Sequence, residues 1–258
     1  MMMPVNFIIE SISSIAWMMM NLGFYVLVFQ YTPSLGADVD GGEAWTKYQF
    51  FVFLATTMFV NSTVQMFFMP NAEEFSEMIR TGNLDFALLK PIDTQFLISL
   101  QRVDWSSIAD FVIALLLLAY AVPRLDGFAP AWSAYLLYPV YIALGVLIMY
   151  SVMVTLAATS VWLGRNQSLY DFWFYITNFS RYPLEIYRGP VGIWLRWLFL
   201  FLVPVLVVVN VPARLLAKPL LPGYAYLAIY GVLATALCLA GSRWVFQRAL
   251  ESYRSASS

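Results

Sequence analysis

The chain has 258 residues, 61% of them hydrophobic and only 11% charged, with a net charge of −1. So little polar material cannot cover a soluble core, the apolar content excludes a disordered chain, and no basic face is available for nucleic acid. With no His, and with one Cys (Cys238) set among apolar residues, His-ligated metal sites, Ser–His–Asp and Cys–His nucleophiles and internal disulfides are excluded together.

A helix needs roughly 20 residues to cross the hydrocarbon of a bilayer. By that measure Val5–Phe29 is the first span, a retained one, because no positive region precedes it as in a cleaved leader. The loop Gln30–Lys47 carries Asp38, Asp40 and Glu43 against Lys47 alone. Tyr48–Met69 is the second span, and Pro70–Asp104 follows as the longest polar interval. In that interval Asn71 is suited to cap a helix, with Glu74 as the capping-box acid. Phe75, Met78 and Ile79 then share a face opposite Glu73, Glu77 and Arg80, and Gly82 ends the helix. Leu84, Leu88 and Leu89 form a second apolar face before Lys90-Pro91, and Asp93 or Thr94 starts a third helix with Phe96, Leu97 and Leu100 facing one way. Such helices either lie on the membrane or form a docking elbow for a soluble partner.

Trp105–Val122 and Ala134–Leu163 are the next spans, and Tyr224–Phe246 is the last. Between them, Tyr170–Ser180 and Val191–Val211 are apolar but ambiguous: Pro204 interrupts the second stretch and Pro212 closes it. Trp45, Tyr48, Trp105, Trp132, Tyr135, Trp162 and Trp244 near span ends suit the interfacial belt. Arg243, Arg248 and Arg254 in the tail, with Arg80, Lys90 and Arg102 in the long interval, place both termini and that interval in the cytoplasm. The charge count favours Arg165–Pro190 as a cytoplasmic linker, whereas the aromatic content of Tyr170–Ser180 favours a span. Glu10, Asp110 and Asp171 are ionisable groups within or at the ends of spans, where such groups are rare and often functional. Asp110 also suits the positive end of its helix.

Ile79-Arg80-Thr81-Gly82-Asn83-Leu84-Asp85-Phe86-Ala87-Leu88-Leu89-Lys90-Pro91 resembles the IR-x-G-x-LD-x-x-LL-K/R-P stretch of bacterial type-2 ATP-binding-cassette (ABC) exporter permeases. Ser180-Arg181-Tyr182-Pro183-Leu184-Glu185-Ile186-Tyr187 is similar to the RYPLDIY corner of the same family, and Pro204 and Val211-Pro212-Ala213 sit where it carries prolines. The similarity runs from about Asn6 to the Ser255-Ala256-Ser257 tail. It implies an all-α polytopic fold of six transmembrane helices in a single domain over 1–258, with Gln167–Tyr187 as the fifth span and Val191–Lys218 as an extracellular re-entrant hairpin.

The resemblance further implies that Pro70–Asp104 holds the coupling helix. Its contact set would be Asn71, Phe75, Ile79, Arg80, Gly82, Leu84, Asp85, Leu88, Leu89, Lys90 and Pro91, with Arg181, Tyr182, Pro183, Tyr187, Pro204 and Pro212 forming an outer gate or re-entrant corner. The implied partners are a cytoplasmic ABC ATPase dimer, a second permease subunit (the same chain or a paralogue) and membrane lipids. The implied place is the bacterial inner membrane. No G-x-x-x-x-G-K-[ST] loop is present, so ATP and magnesium belong to the partner ATPase and this chain needs no cofactor. The family's usual basic amphipathic helix does not precede the first span here, because Met1-Met2-Met3-Pro4 leads almost directly into it; an in-frame basic stretch upstream is expected if translation starts earlier. An intramembrane enzyme or a secondary carrier is the alternative. The first lacks His or a paired-aspartate motif, and the second lacks an inverted repeat.

Overall fold

The computed structural model describes residues 3–36, 44–125, 127–163, 174–176, 178–219 and 222–253, with only the backbone for 3–11, 14 and 222–224. Helix α1 spans Met3–Tyr31. A two-residue antiparallel pair follows, β1 (Ser34–Leu35) with β2 (Trp45–Thr46), in the register Ser34 to Thr46 and Leu35 to Trp45. The order then runs α2 (Lys47–Phe67), α3 (Met69–Thr81), α4 (Leu84–Leu88), α5 (Thr94–Ser99), α6 (Ile108–Ala121), α7 (Trp132–Ala158) and α8 (Ser160–Leu163). The last three are α9 (Gly189–Trp197), α10 (Val205–Ala217) and α11 (Pro222–Ser252).

Four helical stretches are long and apolar enough to cross a membrane: Lys47–Thr81, Trp105–Arg124, Trp132–Leu163 and Ala225–Ser252. The pair Gly189–Leu202 and Val205–Ala217, bent by 89°, makes a fifth if counted as one span. The chain is a multi-pass membrane protein. In α1 the apolar run among the described side chains is Ile15–Tyr31, and the expected span Gln167–Tyr187 lies largely outside the described residues.

The core forms where apolar residues surround a helix on every side, since such a helix has no face for solvent. α2 buries Phe50, Phe51, Val52 and Phe53 in succession, and α10 is buried at each of its positions. α10 packs against α2, α7 and α11, while α6 and α11 turn Leu115, Leu116, Leu233 and Leu237 outward, as lipid-facing helices do.

Proline placement decides two local outcomes. Pro204 ends one arm of the bent pair, as anticipated, and the turn before it leaves Leu200 with a carbonyl that accepts from the Tyr230 hydroxyl at 2.9 Å. Broken backbone at membrane depth is thus satisfied by a neighbouring helix. Pro212 does not close the stretch: it lies inside α10, which ends at Ala217. Without an N–H at position 212, the Val208 carbonyl loses its usual intrahelical donor. That carbonyl faces Gly145 of α7, where an added Cβ would lie 2.8 Å from it. Gly145 is therefore the residue that lets α7 and α10 approach.

Of the residues expected in the interfacial belt, Trp105, Trp132, Tyr135, Trp162 and Trp244 are exposed and Tyr48 is half-buried, but Trp45 is fully buried. Its indole N–H is drawn inward by a buried carboxylate, described next.

Candidate functional site

The interval between the second and third spans is a compact elbow fixed to the membrane helices. Asn71 is not a cap. α2 continues through Phe68 into α3, with the Ala72 N–H donating to the Phe68 carbonyl at 3.0 Å, so no exposed helix start needs capping. Instead the Asn71 amide donates to the Arg102 carbonyl at 2.8 Å, and its oxygen accepts from the Arg102 N–H at 2.8 Å. Glu74, expected to complete a capping box, pairs with the Arg102 guanidinium at 2.5 Å. This clamp closes the elbow by joining its two ends.

Three further ties hold it. Phe75 is buried against Phe246 of α11, with ring centroids 5.4 Å apart. The Tyr150 hydroxyl of α7 meets the Gln95 amide at 3.1 Å and the Ser99 hydroxyl at 2.8 Å. Arg243 of α11 pairs with Asp93 and donates to Gln95 Oε1 at 3.1 Å. Of the expected apolar face of the third helix, Phe96 and Leu100 point out and Leu97 packs partly against the core, while Gln95 and Ser99 turn inward to the Tyr150 hydroxyl, beside the buried Ile98. Asp93 caps α5 by accepting from the Phe96 N–H at 3.0 Å. Its bond to Arg243, and then that N–H, hold its carboxyl below the usual carboxylate range. Burial, with the Asp85 carboxylate beside it, pushes the Tyr253 phenol up.

Of the residues expected to form the elbow's contact surface, Asn71, Phe75 and Leu84 are buried inside the protein. Gly82 ends α3 at φ 75°, a left-handed conformation that suits glycine. Arg80 is exposed and bonded to Glu77 of its own helix at 2.8 Å, Ile79 is half-buried, and Asp85 follows in the first turn of α4. Leu88, Leu89, Lys90 and Pro91 are exposed. Leu89 is 81% exposed, Phe86 70%, Phe96 63% and Ile92 51%, so the apolar knob is formed by these four, three of which lie outside the expected set. The signal for them was composition: large apolar residues on short helices joined by charged turns.

At the other end of the bundle lies a buried charge cluster. Glu185, within the corner segment, pairs with Arg214 of α10, and both side chains are 5% exposed or less. The Trp45 indole N–H donates to the second Glu185 oxygen at 2.9 Å. Lys218, also buried, sits 4.3 Å over the Trp45 ring and donates to the Ala44 carbonyl at 3.1 Å. Asn210 of α10 accepts from the Leu184 N–H at 2.9 Å. Nearby, Tyr187 donates to the Phe179 carbonyl at 2.6 Å, Pro183 is buried and Tyr182 is exposed. The corner is thus locked from three sides of the chain.

The profile of the ABC-2 family transporter proteins matches residues 15–257. The chain belongs to that family. No curated relative and no solved structure matches it.

ABC-2 transporter membrane subunits are non-catalytic permeases. The two motif segments lie at opposite ends of the helix bundle, one in the elbow and one at the buried corner. Asp110 occupies the first turn of α6 and lines one cavity together with Arg181. The Glu10 side chain and all of Asp171 lie outside the described residues. Sequence reading missed Trp45 and Arg214 as partners of Glu185, and Lys218 over the Trp45 ring. The available signal was three ionisable groups within or beside apolar stretches.

Proposed function

We propose that this ABC-2 protein is the permease subunit of an ATP-driven exporter of the bacterial inner membrane. Residues 1–258 act as one domain with six spans and cytoplasmic termini, forming half of a path completed by a second permease subunit. ATP and magnesium act in a separate cytoplasmic ATPase dimer, which docks on the elbow between α3 and α5. The observation that carries this reading is the pairing of rigidity with exposure in that elbow. Its inner side is tied to α7 and α11 through Tyr150, Phe246 and Arg243, while Phe86, Leu89, Ile92 and Phe96 are left bare outside the spans. A displacement applied to that knob is passed to three membrane helices rather than absorbed in a loop. Closure of the ATPase dimer on ATP then moves α2, α7 and α11 together and opens the path between the two permease halves.

The bent pair fits a re-entrant hairpin on the outer face. Arg188, just before α9, donates to the Gly36 carbonyl at 3.1 Å, and Lys218, just after α10, donates to the Ala44 carbonyl at 3.1 Å. Both ends of the pair meet the connection between α1 and α2, so the chain enters and returns at one face.

The test is association. Leu89→Asp places a charge in the centre of the docking knob and is expected to cost on the order of 2–4 kcal/mol of binding. Co-purification of the ATPase should fall while membrane insertion is unchanged; full retention of the ATPase by both Leu89→Asp and Phe86→Asp would move the docking surface elsewhere.

A further inference from the structure

A cavity of about 210 Å³ lies between α1, α2 and α6. It runs from Trp17 to Tyr25 along α1, about 12 Å of helix. On α2 it reaches from Leu54 to Gln65, well inside the spanning segment, and Phe111 against Phe59 (5.0 Å) fixes the neighbouring Asp110 at the same depth. Its polar lining is unusual for that depth: Asn21, Asn61, Gln65 and Thr57, with Asp110 and Arg181 supplying one charge of each sign. The Thr57 hydroxyl donates to the Phe53 carbonyl at 3.0 Å and the Ser62 hydroxyl to the Phe59 carbonyl at 3.2 Å. With their protons engaged on the helix, these oxygens can only accept; the Asn21 amide donates one proton to the Trp17 carbonyl at 2.9 Å, and the other amides and Arg181 add donors to the lining. Trp17, Leu22 and Met58 complete the wall.

Size and charge together select the occupant. A volume of 210 Å³ corresponds to about seven waters, enough for a lipid headgroup but below the roughly 300–1,000 Å³ that encloses a whole drug-sized ligand. The apolar remainder of the ligand must lie outside. It has somewhere to go, since the cavity is open to the outside beside α1, where Trp17 lines it and is itself 57% exposed. A purely anionic headgroup meets Asp110, a purely cationic one meets Arg181, and a headgroup carrying both charges is matched by both.

We propose that this cavity binds the zwitterionic headgroup of a lipid-like amphiphile, its cationic end toward Asp110 and its anionic end toward Arg181, with the tail left in the bilayer. The binding stands on the cavity; that the bound amphiphile is the cargo rests on the permease reading above.

The test uses the full chain purified in a neutral maltoside detergent and an equimolar mixture of three lysolipids with one acyl chain. These are lysophosphatidylethanolamine (zwitterionic), lysophosphatidylglycerol (anionic) and a monoacylglycerol (neutral). Adducts retained on the protein are counted by native mass spectrometry. The zwitterionic lipid should be retained about tenfold over the anionic one, the discrimination of one charge mismatch, and more strongly over the neutral one, which lacks both charges. Asp110→Asn should erase the preference over the anionic lipid, and Arg181→Gln should lower the preference over the neutral one about tenfold. Gln65→Ala, exposed at the rim, should lower retention a few-fold and serves where either charge variant fails to fold. Equal retention of all three lipids, or a preference untouched by every folded variant, overturns the proposal. So does displacement by millimolar free phosphoethanolamine, which would make the ligand a soluble zwitterion. ATPase co-purification is read on the same preparations. ATPase bound without headgroup preference refutes the site and leaves the permease reading, and headgroup preference without ATPase refutes the cargo assignment and leaves the site.

Discussion

Replacing Arg214 with Met removes the cation from a pair whose two side chains are at most 5% exposed. Glu185 then keeps the Trp45 indole N–H as a direct donor but is buried without its countercharge. Breaking a buried pair from one side typically costs about 3–5 kcal/mol. Trp45→Phe instead removes one hydrogen bond to a charged acceptor, about 1.5–3 kcal/mol. The double replacement Glu185→Leu with Arg214→Met removes both desolvation penalties, and should be closer to wild type than Arg214→Met alone. For a chain of this size 1 kcal/mol shifts an unfolding midpoint by roughly 2–4 °C, so Arg214→Met should unfold about 6–20 °C lower. Fluorescence-detected gel filtration after heating reads this directly in detergent. A midpoint for Arg214→Met within 2 °C of wild type, or a double variant less stable than the single one, would refute the reading of this pair as a buried lock.

Other outcomes follow from individual contacts. Gly145→Val should destabilise by about 1–3 kcal/mol through overpacking, because even the first added carbon lies 2.8 Å from the Val208 carbonyl; the same heating assay checks it. Arg243→Gln should lower stability at neutral pH by about 1 kcal/mol or less, as the pair is partly exposed. The carboxyl of Asp93 is held low by Arg243, so the pair's contribution is complete above the ordinary carboxylate pKa and is lost as pH falls through the lowered one; melting curves of the two proteins should converge in acid and stay apart at neutral pH. In a Cys238→Ser background, Val191→Cys (72% exposed) should react with an impermeant thiol reagent on intact cells, and Leu89→Cys only after permeabilisation. Reaction of both under the same condition would contradict their assignment to opposite faces.

The spans around α2, α6, α7 and α11 were legible because long apolar runs are set by the thickness of the hydrocarbon. The Pro204 break was legible for a local reason, a missing backbone donor. Pro212 was not, because the carbonyl it leaves without a donor lies against Gly145, 67 residues earlier in the chain and on another helix. The helix likewise runs on past Met69 with only a break at Phe68, because the Met66 carbonyl that Pro70 leaves without a donor accepts from the Asp104 N–H at 2.8 Å. On α5 the apolar face of Phe96, Leu97 and Leu100 was legible, but what holds the other side was not: the Tyr150 hydroxyl of α7 draws Gln95 and Ser99 inward. The buried corner was least legible. Trp45 lies 140 residues from Glu185, and a Trp beside a span end reads as a belt residue until its indole N–H is seen on a carboxylate.

The central claim, that the elbow is where an ATPase drives this permease, is tested most directly by photocrosslinking in the native membrane. A benzophenone amino acid placed at Leu89 or at Phe86, both exposed outside the spans, captures whatever sits on the knob, and mass spectrometry identifies it. The account predicts a crosslink from both positions to a cytoplasmic protein bearing a nucleotide-binding loop, and none to that protein from Trp194 on α9, which is 78% exposed at the opposite end. Crosslinks from Leu89 and Phe86 to lipid alone, or capture of the ATPase from Trp194, would contradict it.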